Sequence, residues 1–204
     1  RQMCIRDSYL HGLDSDPNAT KALLTAQYAK QLGIDVIRPN LNCPPNEVIK
    51  SVTPLLDQNT VLIGSSLGGY FANLLSDMTG TPCILLNPSI RPDLSFQRFL
   101  DDNAKTPKIT PSDDTIIYTT DGGWAILYQD LAWFFEHQLT VAYPERVGVL
   151  LKLGDELLDA KASEAFYLTK NASVLTQAGG DHRISDYPEL VAKVVDWAVA
   201  LGQK

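Results

Sequence analysis

Short apolar runs alternate with stretches of helical spacing along most of the chain. Residues 36–37, 60–63, 83–86, 149–153 and 173–176 are apolar and rich in β-branched residues or leucine, the composition of strands buried on both faces. Between them the apolar positions fall at helical intervals. A helix is predicted over 18–32, closed by Gly33, and a second over 47–56, weakened by Pro54. Tyr70, Phe71, Leu74, Leu75 and Met78 mark a third, which Gly80 and Pro82 terminate. A last helix, from about Pro188 to Leu201, carries Leu190, Val191, Val194, Val195 and Ala198 on one face. This rhythm predicts a single α/β domain over 1–204, with a mostly parallel sheet covered by helices on both faces.

The rhythm lapses twice. Between Arg91 and Arg146 come Pro92, Pro107 and Pro111, an acidic stretch, and then the aromatic residues Trp124, Tyr128, Trp133, Phe134 and Phe135. An inserted cap over 92–146 is expected, whose rings either pack on the sheet or supply an acyl pocket. At the start, residues 1–8 have poor strand character and are of doubtful origin. If a first strand leads into Tyr9 and Leu10, then Arg6, Asp7 and Ser8 stand where apolar residues belong. They then either lie outside the sheet edge or bury unpaired charge at a cost of several kcal/mol.

Composition narrows the partners. A chain of 204 residues with net charge −7, pI near 4.9 and no run of Lys or Arg is a poor match to nucleic acid or an anionic membrane surface. A small-molecule substrate fits better. Cys4, Cys43 and Cys83 are odd in number and widely spaced, which disfavours a disulfide scaffold and a zinc site and suits reduced thiols. No apolar run approaches the ~20 residues of a membrane span, and no secretion signal is evident. A cytoplasmic protein is expected.

The candidate chemistry lies in Gly64-Ser65-Ser66-Leu67-Gly68, set between an apolar strand and a helix. A serine on such a turn needs very small residues two positions to either side, and Gly64 and Gly68 provide them. The turn exposes the hydroxyl at the sheet edge and at a helix N-terminus, where free N–H groups favour developing negative charge. Ser66 is therefore the candidate nucleophile.

Such a serine needs a base, and the base needs an acid. Of His11, His137 and His182, the order Ser, acid, His found in α/β-hydrolases selects His182, after the 173–176 strand. The acid should come from the turn after the 149–153 strand, which holds Asp155, Glu156 and Asp159. Asp155 is nearest the strand end and Asp159 is its competitor. Glu156 and Asp159 could equally be exposed or capping groups. His11, ahead of Gly12, could shape an oxyanion loop, with N–H donors from Leu13 and Leu67.

Five blocks then carry a family resemblance: 9–15 with Pro17, 64–70, 87–92, 154–159 and 179–182. In order and content they resemble the YqiA-like esterase family of small bacterial α/β-hydrolases. The resemblance implies an α/β-hydrolase fold and a Ser66-Asp155-His182 triad, and it supports Asp155 over Asp159. The activity expected is carboxylic-ester hydrolysis through an acyl-enzyme, with no metal or organic cofactor. A thioesterase using the same triad is the nearest alternative, and a non-catalytic module gripping an anion at the glycine-rich turn is a third reading.

Overall fold

The computed structural model describes residues 6–102 and 111–203; expectations for residues 1–5 and for Pro107 lie outside them. Six strands form one sheet in the order β2-β1-β3-β4-β7-β8, every neighbouring pair parallel. They are β1 (Arg6–Leu10), β2 (Asp35–Ile37), β3 (Thr60–Ser65), β4 (Cys83–Leu86), β7 (Val147–Lys152) and β8 (Ser173–Gln177). Strands β3, β4 and β7 are buried throughout, which is why their sequences run apolar instead of alternating with polar residues.

The period of two sorts these strands into two cores. Val61, Ile63, Ile84, Leu86 and Leu150 face helices α1 (Thr20–Gln31) and α7 (Tyr187–Gly202). Leu62, Leu85, Val149 and Leu151 face α2 (Pro45–Val52), α3 (Leu67–Thr79) and α6 (Ala160–Thr169). Helix α2 is shorter than its expected 47–56 span. Pro54 lies in a separate 3-10 turn over Thr53–Leu55, because proline cannot donate the N–H that a longer helix requires.

The segment 92–146 contains α4 (Pro92–Asp102), an antiparallel hairpin of β5 (Ile116–Thr119) and β6 (Ala125–Leu127), and α5 (Tyr128–Glu136). Its rings mostly serve packing. Trp124 and Phe134 are buried in the core that contains α3, and Phe134 meets Tyr70 edge-to-face at 5.3 Å. No described helix is long and apolar enough to cross a membrane.

Strand β1 departs from the sheet-edge alternative. Asp7 and Ser8 pair with Val36 and Ile37 on one side and with Val61 and Leu62 on the other, so both are interior. Both are completely buried, and neither carboxylate oxygen of Asp7 nor the Ser8 hydroxyl has a hydrogen-bond partner. Backbone pairing with two neighbours holds the segment as a strand despite these side chains.

Candidate active site

Strand β3 delivers Ser66 onto the turn that its glycines require. Ser66 has φ 56° and ψ −119°, a conformation non-glycine residues rarely adopt and one that surrounding contacts must enforce. A Cβ on Gly64 would lie 2.3 Å from the Gly68 carbonyl oxygen, and one on Gly68 would lie 2.1 Å from that of Leu10. Only glycine fits at either position. Ser66 N–H donates to the Leu86 carbonyl, while the Ser66 carbonyl accepts from Gly69, Tyr70 and Ser89 N–H.

His182 comes from the loop after β8, and its Nε2 lies 2.9 Å from Ser66 Oγ. Its Nδ1 lies 2.8 Å from Asp155 Oδ2, on the turn after β7. The ionised carboxylate only accepts, so it selects the tautomer that donates from Nδ1 and leaves the Nε2 lone pair facing the serine hydroxyl. Burial alone would raise the Asp155 pKa. Hydrogen bonds from His182, Leu158 N–H and Leu157 N–H outweigh it and hold the carboxyl below its usual range.

The two loops meet through their backbones. Gly154 N–H donates to the Gly179 carbonyl at 2.9 Å, and a Cβ on Gly154 would come within 2.4 Å of the Gly180 oxygen. Glu156, expected as exposed or capping, is exposed yet accepts from His182 N–H at 3.0 Å. Asp159 accepts from Ala162 N–H as the N-cap of α6, the structural alternative weighed for it.

Gly12 and Leu13 lie beside the serine, where a Cβ on Gly12 would be 3.1 Å from Ser66 Cβ. Leu67 opens α3, whose first N–H groups have no acceptor within the helix. His11 is buried and structural. It accepts from Leu41 N–H at Nε2, so the hydrogen at Nδ1 goes to the Gly12 carbonyl, and burial lowers its pKa, which favours the neutral ring. The β5–β6 hairpin braces this loop: Asp14 accepts from the Tyr118 hydroxyl and from Asp121 N–H, and Asn42 joins the Ser15 carbonyl to the Thr120 hydroxyl. His137 stands apart, stacked on Trp133 at 3.9 Å.

One positioning group lies in the 87–92 block, to which the sequence assigns no role beyond the resemblance. Asn87, with φ 41°, accepts from Lys152 N–H at Oδ1 and donates from Nδ2 to the Asp181 and His182 carbonyls. It ties the ends of β4 and β7 to the histidine loop. An asparagine directly after a buried strand, followed by proline, is the signal that could have flagged it.

Ser66, Leu13, Leu67 and His182 open onto a cavity of about 610 Å³. Its walls come from the 12–21 segment, from Ser95, Phe96 and Arg98 of α4, from Leu157 and Leu158, and from the histidine loop. The rings of α5 do not line it.

A family profile described as "Uncharacterised protein family (UPF0227)" matches residues 8–199. The chain belongs to that family. UPF0227 proteins from two Vibrio cholerae serotype O1 strains are each 27% identical over 100 residues, covering 46% of this chain and 56% of theirs. The alignment thus spans about half the length of the curated relatives. Among solved structures, Est1E from Butyrivibrio proteoclasticus with ferulic acid bound superposes at a TM-score of 0.70 and 16% identity, covering 98% of this chain and 90% of that one. Mouse alpha/beta hydrolase domain-containing protein 10 gives 0.66 at 18% identity, with coverages of 96% and 90%. The esterase domain of a Rhodothermus marinus protein gives 0.66 at 16%, with 97% and 87%. This UPF0227 chain therefore has the α/β-hydrolase fold.

Proposed function

We propose that this chain is a serine carboxylic-ester hydrolase that works through an acyl-enzyme. The observation that carries the reading is the unbroken hydrogen-bonded series from Ser66 Oγ through His182 to Asp155, at 2.9 and 2.8 Å. His182 Nε2 takes the hydroxyl proton as Ser66 Oγ bonds to the acyl carbon, and Asp155 stabilises the imidazolium that forms. In this reading the N–H groups of Leu13 and Leu67 hold the oxyanion. His182 then protonates the leaving alcohol and activates water for deacylation. Within this reading α4 is the part of the 92–146 insertion that walls the substrate cavity.

A fluorophosphonate probe tests the nucleophile. Ser66 is labelled in the folded protein, and Ser66→Ala loses both the label and the hydrolysis of p-nitrophenyl butyrate. Absence of labelling, or turnover that survives the substitution, overturns the reading.

A further inference from the structure

The cavity beside Ser66 is more polar and more cationic than an acyl pocket for a plain hydrocarbon requires. Asp14, Asp16, Lys21, Arg98 and Arg183 all line it, in a chain whose net charge is −7. The anions among them are engaged. Asp14 accepts from the Tyr118 hydroxyl at 2.6 Å and from Asp121 N–H at 3.0 Å, and Asp16 accepts from Asn18 N–H at 2.6 Å. Lys21 is engaged as well, donating to the Arg183 carbonyl at 2.6 Å beside the Asp181 charge.

The two arginines differ. The ion pairs among the described residues are Lys50–Glu47, Arg91–Asp93, Lys152–Asp186 and His182–Asp155, so neither guanidinium has a carboxylate partner among the described residues. Arg98 is nevertheless held, its guanidinium carbon 5.0 Å from the centre of the Phe99 ring. Arg183 follows the histidine directly, and its backbone is fixed through the carbonyl that Lys21 grips. Planar, permanently charged forks match the geometry of an oxyanion and lose little entropy when they bind one.

We infer that the cavity takes esters bearing a second, ionised acidic group, a carboxylate or a phosphate, held by Arg98 and Arg183 while Ser66 attacks the ester carbon. This names a substrate class and rests on the hydrolase reading above. The free anion would already be recognised, since both cations line the cavity without substrate. Screening by salt reaches such exposed groups, so the preference weakens as ionic strength rises.

The experiment compares kcat/KM for mono-p-nitrophenyl glutarate with that for p-nitrophenyl valerate, which has the same chain length and no charge. Wild type prefers the anionic ester about tenfold at low salt, and the ratio falls towards one in 0.5 M NaCl. Arg98→Gln with Arg183→Gln brings the ratio to about one at low salt, and Arg98→Glu inverts it. Equal rates for the two esters in wild type, or a ratio that ignores the substitutions, overturn the inference while leaving the hydrolase reading intact. Calorimetric titration with glutarate, which has no ester bond to cleave, and with inorganic phosphate decides the matter without turnover and separates the two anions. Binding of either that is lost in the double variant supports the inference. No binding of either overturns it, even if hydrolysis itself fails.

Discussion

Asp7 is the group whose removal should most improve this fold. It lies in β1 between β2 and β3, completely buried, with no partner for either carboxylate oxygen. Burial pushes its pKa from 3.8 up to about 7, because the charged form has lost its water and gained nothing in return. The rise, at 1.36 kcal/mol per pH unit, corresponds to about 4 kcal/mol. Because the folded-state value is the higher one, the folded protein holds the proton more tightly than the unfolded chain. The ionisation penalty is absent below pH 3.8, grows as pH rises towards 7, and is complete above that. Asp7→Val replaces the carboxyl with a side chain of similar size, matching the Val36 and Val61 that pair with it. Urea denaturation of both proteins from pH 5 to 8.5 measures the effect. The stability gain of the variant should grow with pH and level off above about 7, near 4 kcal/mol, which for a chain of this size raises Tm by about 10 °C. Asp7→Asn also removes the titrating group, so its gain over wild type should rise with pH in parallel but be smaller throughout, since the amide remains an unsatisfied polar group. A difference that stays flat across this range would refute the reasoning.

Substitutions at two further positions probe the candidate site. Asp155→Asn should lower kcat by about three orders of magnitude or more, because an amide no longer enforces the His182 tautomer. The Asp155 carboxyl is held below its usual range, so its contribution to stability is present above that range and disappears as pH falls; urea denaturation should show the variant's deficit narrowing in acid. Asn87→Ala removes three hydrogen bonds that fix the histidine loop, and should reduce kcat by about 10- to 100-fold with little change in KM. Asn87→Asp keeps the acceptor for Lys152 N–H but sets a carboxylate against two carbonyls, so it should not restore the rate in steady-state assays.

The legible parts of the chain are those in which local pattern and tertiary environment agree. Runs such as 83–86 read as buried strands because both faces are covered, and β4 has those limits. The Ser66 turn was legible because glycine is the only residue its contacts permit at 64 and 68. Asp155 was less secure: several carboxylates follow β7, and only the meeting of two loops, through Gly154 and Gly179, determines which reaches His182. Asn87 was opaque because its three partners lie 65 to 95 residues away in sequence. The aromatic-rich stretch predicted burial correctly in kind, but whether rings line a cavity or a core depends on which side of α5 meets α3. Strand β1 defied its side chains, since its place in the sheet is set by backbone pairing and by the apolar residues that follow.

The hairpin brace on the 12–15 loop bears on how this scaffold can change. Tyr118, which binds Asp14, also stacks on Phe99 of α4 at 4.2 Å, next to the Arg98 that faces the cavity. The α4 wall of the cavity and the 12–15 loop therefore share a support. Exchanging residues 92–146 for another segment would remove the partners of Asp14 and Asn42 together with the α4 part of the wall, so this segment cannot be changed independently of those loops. A chimera that is to keep its turnover must transfer those two loop positions with it.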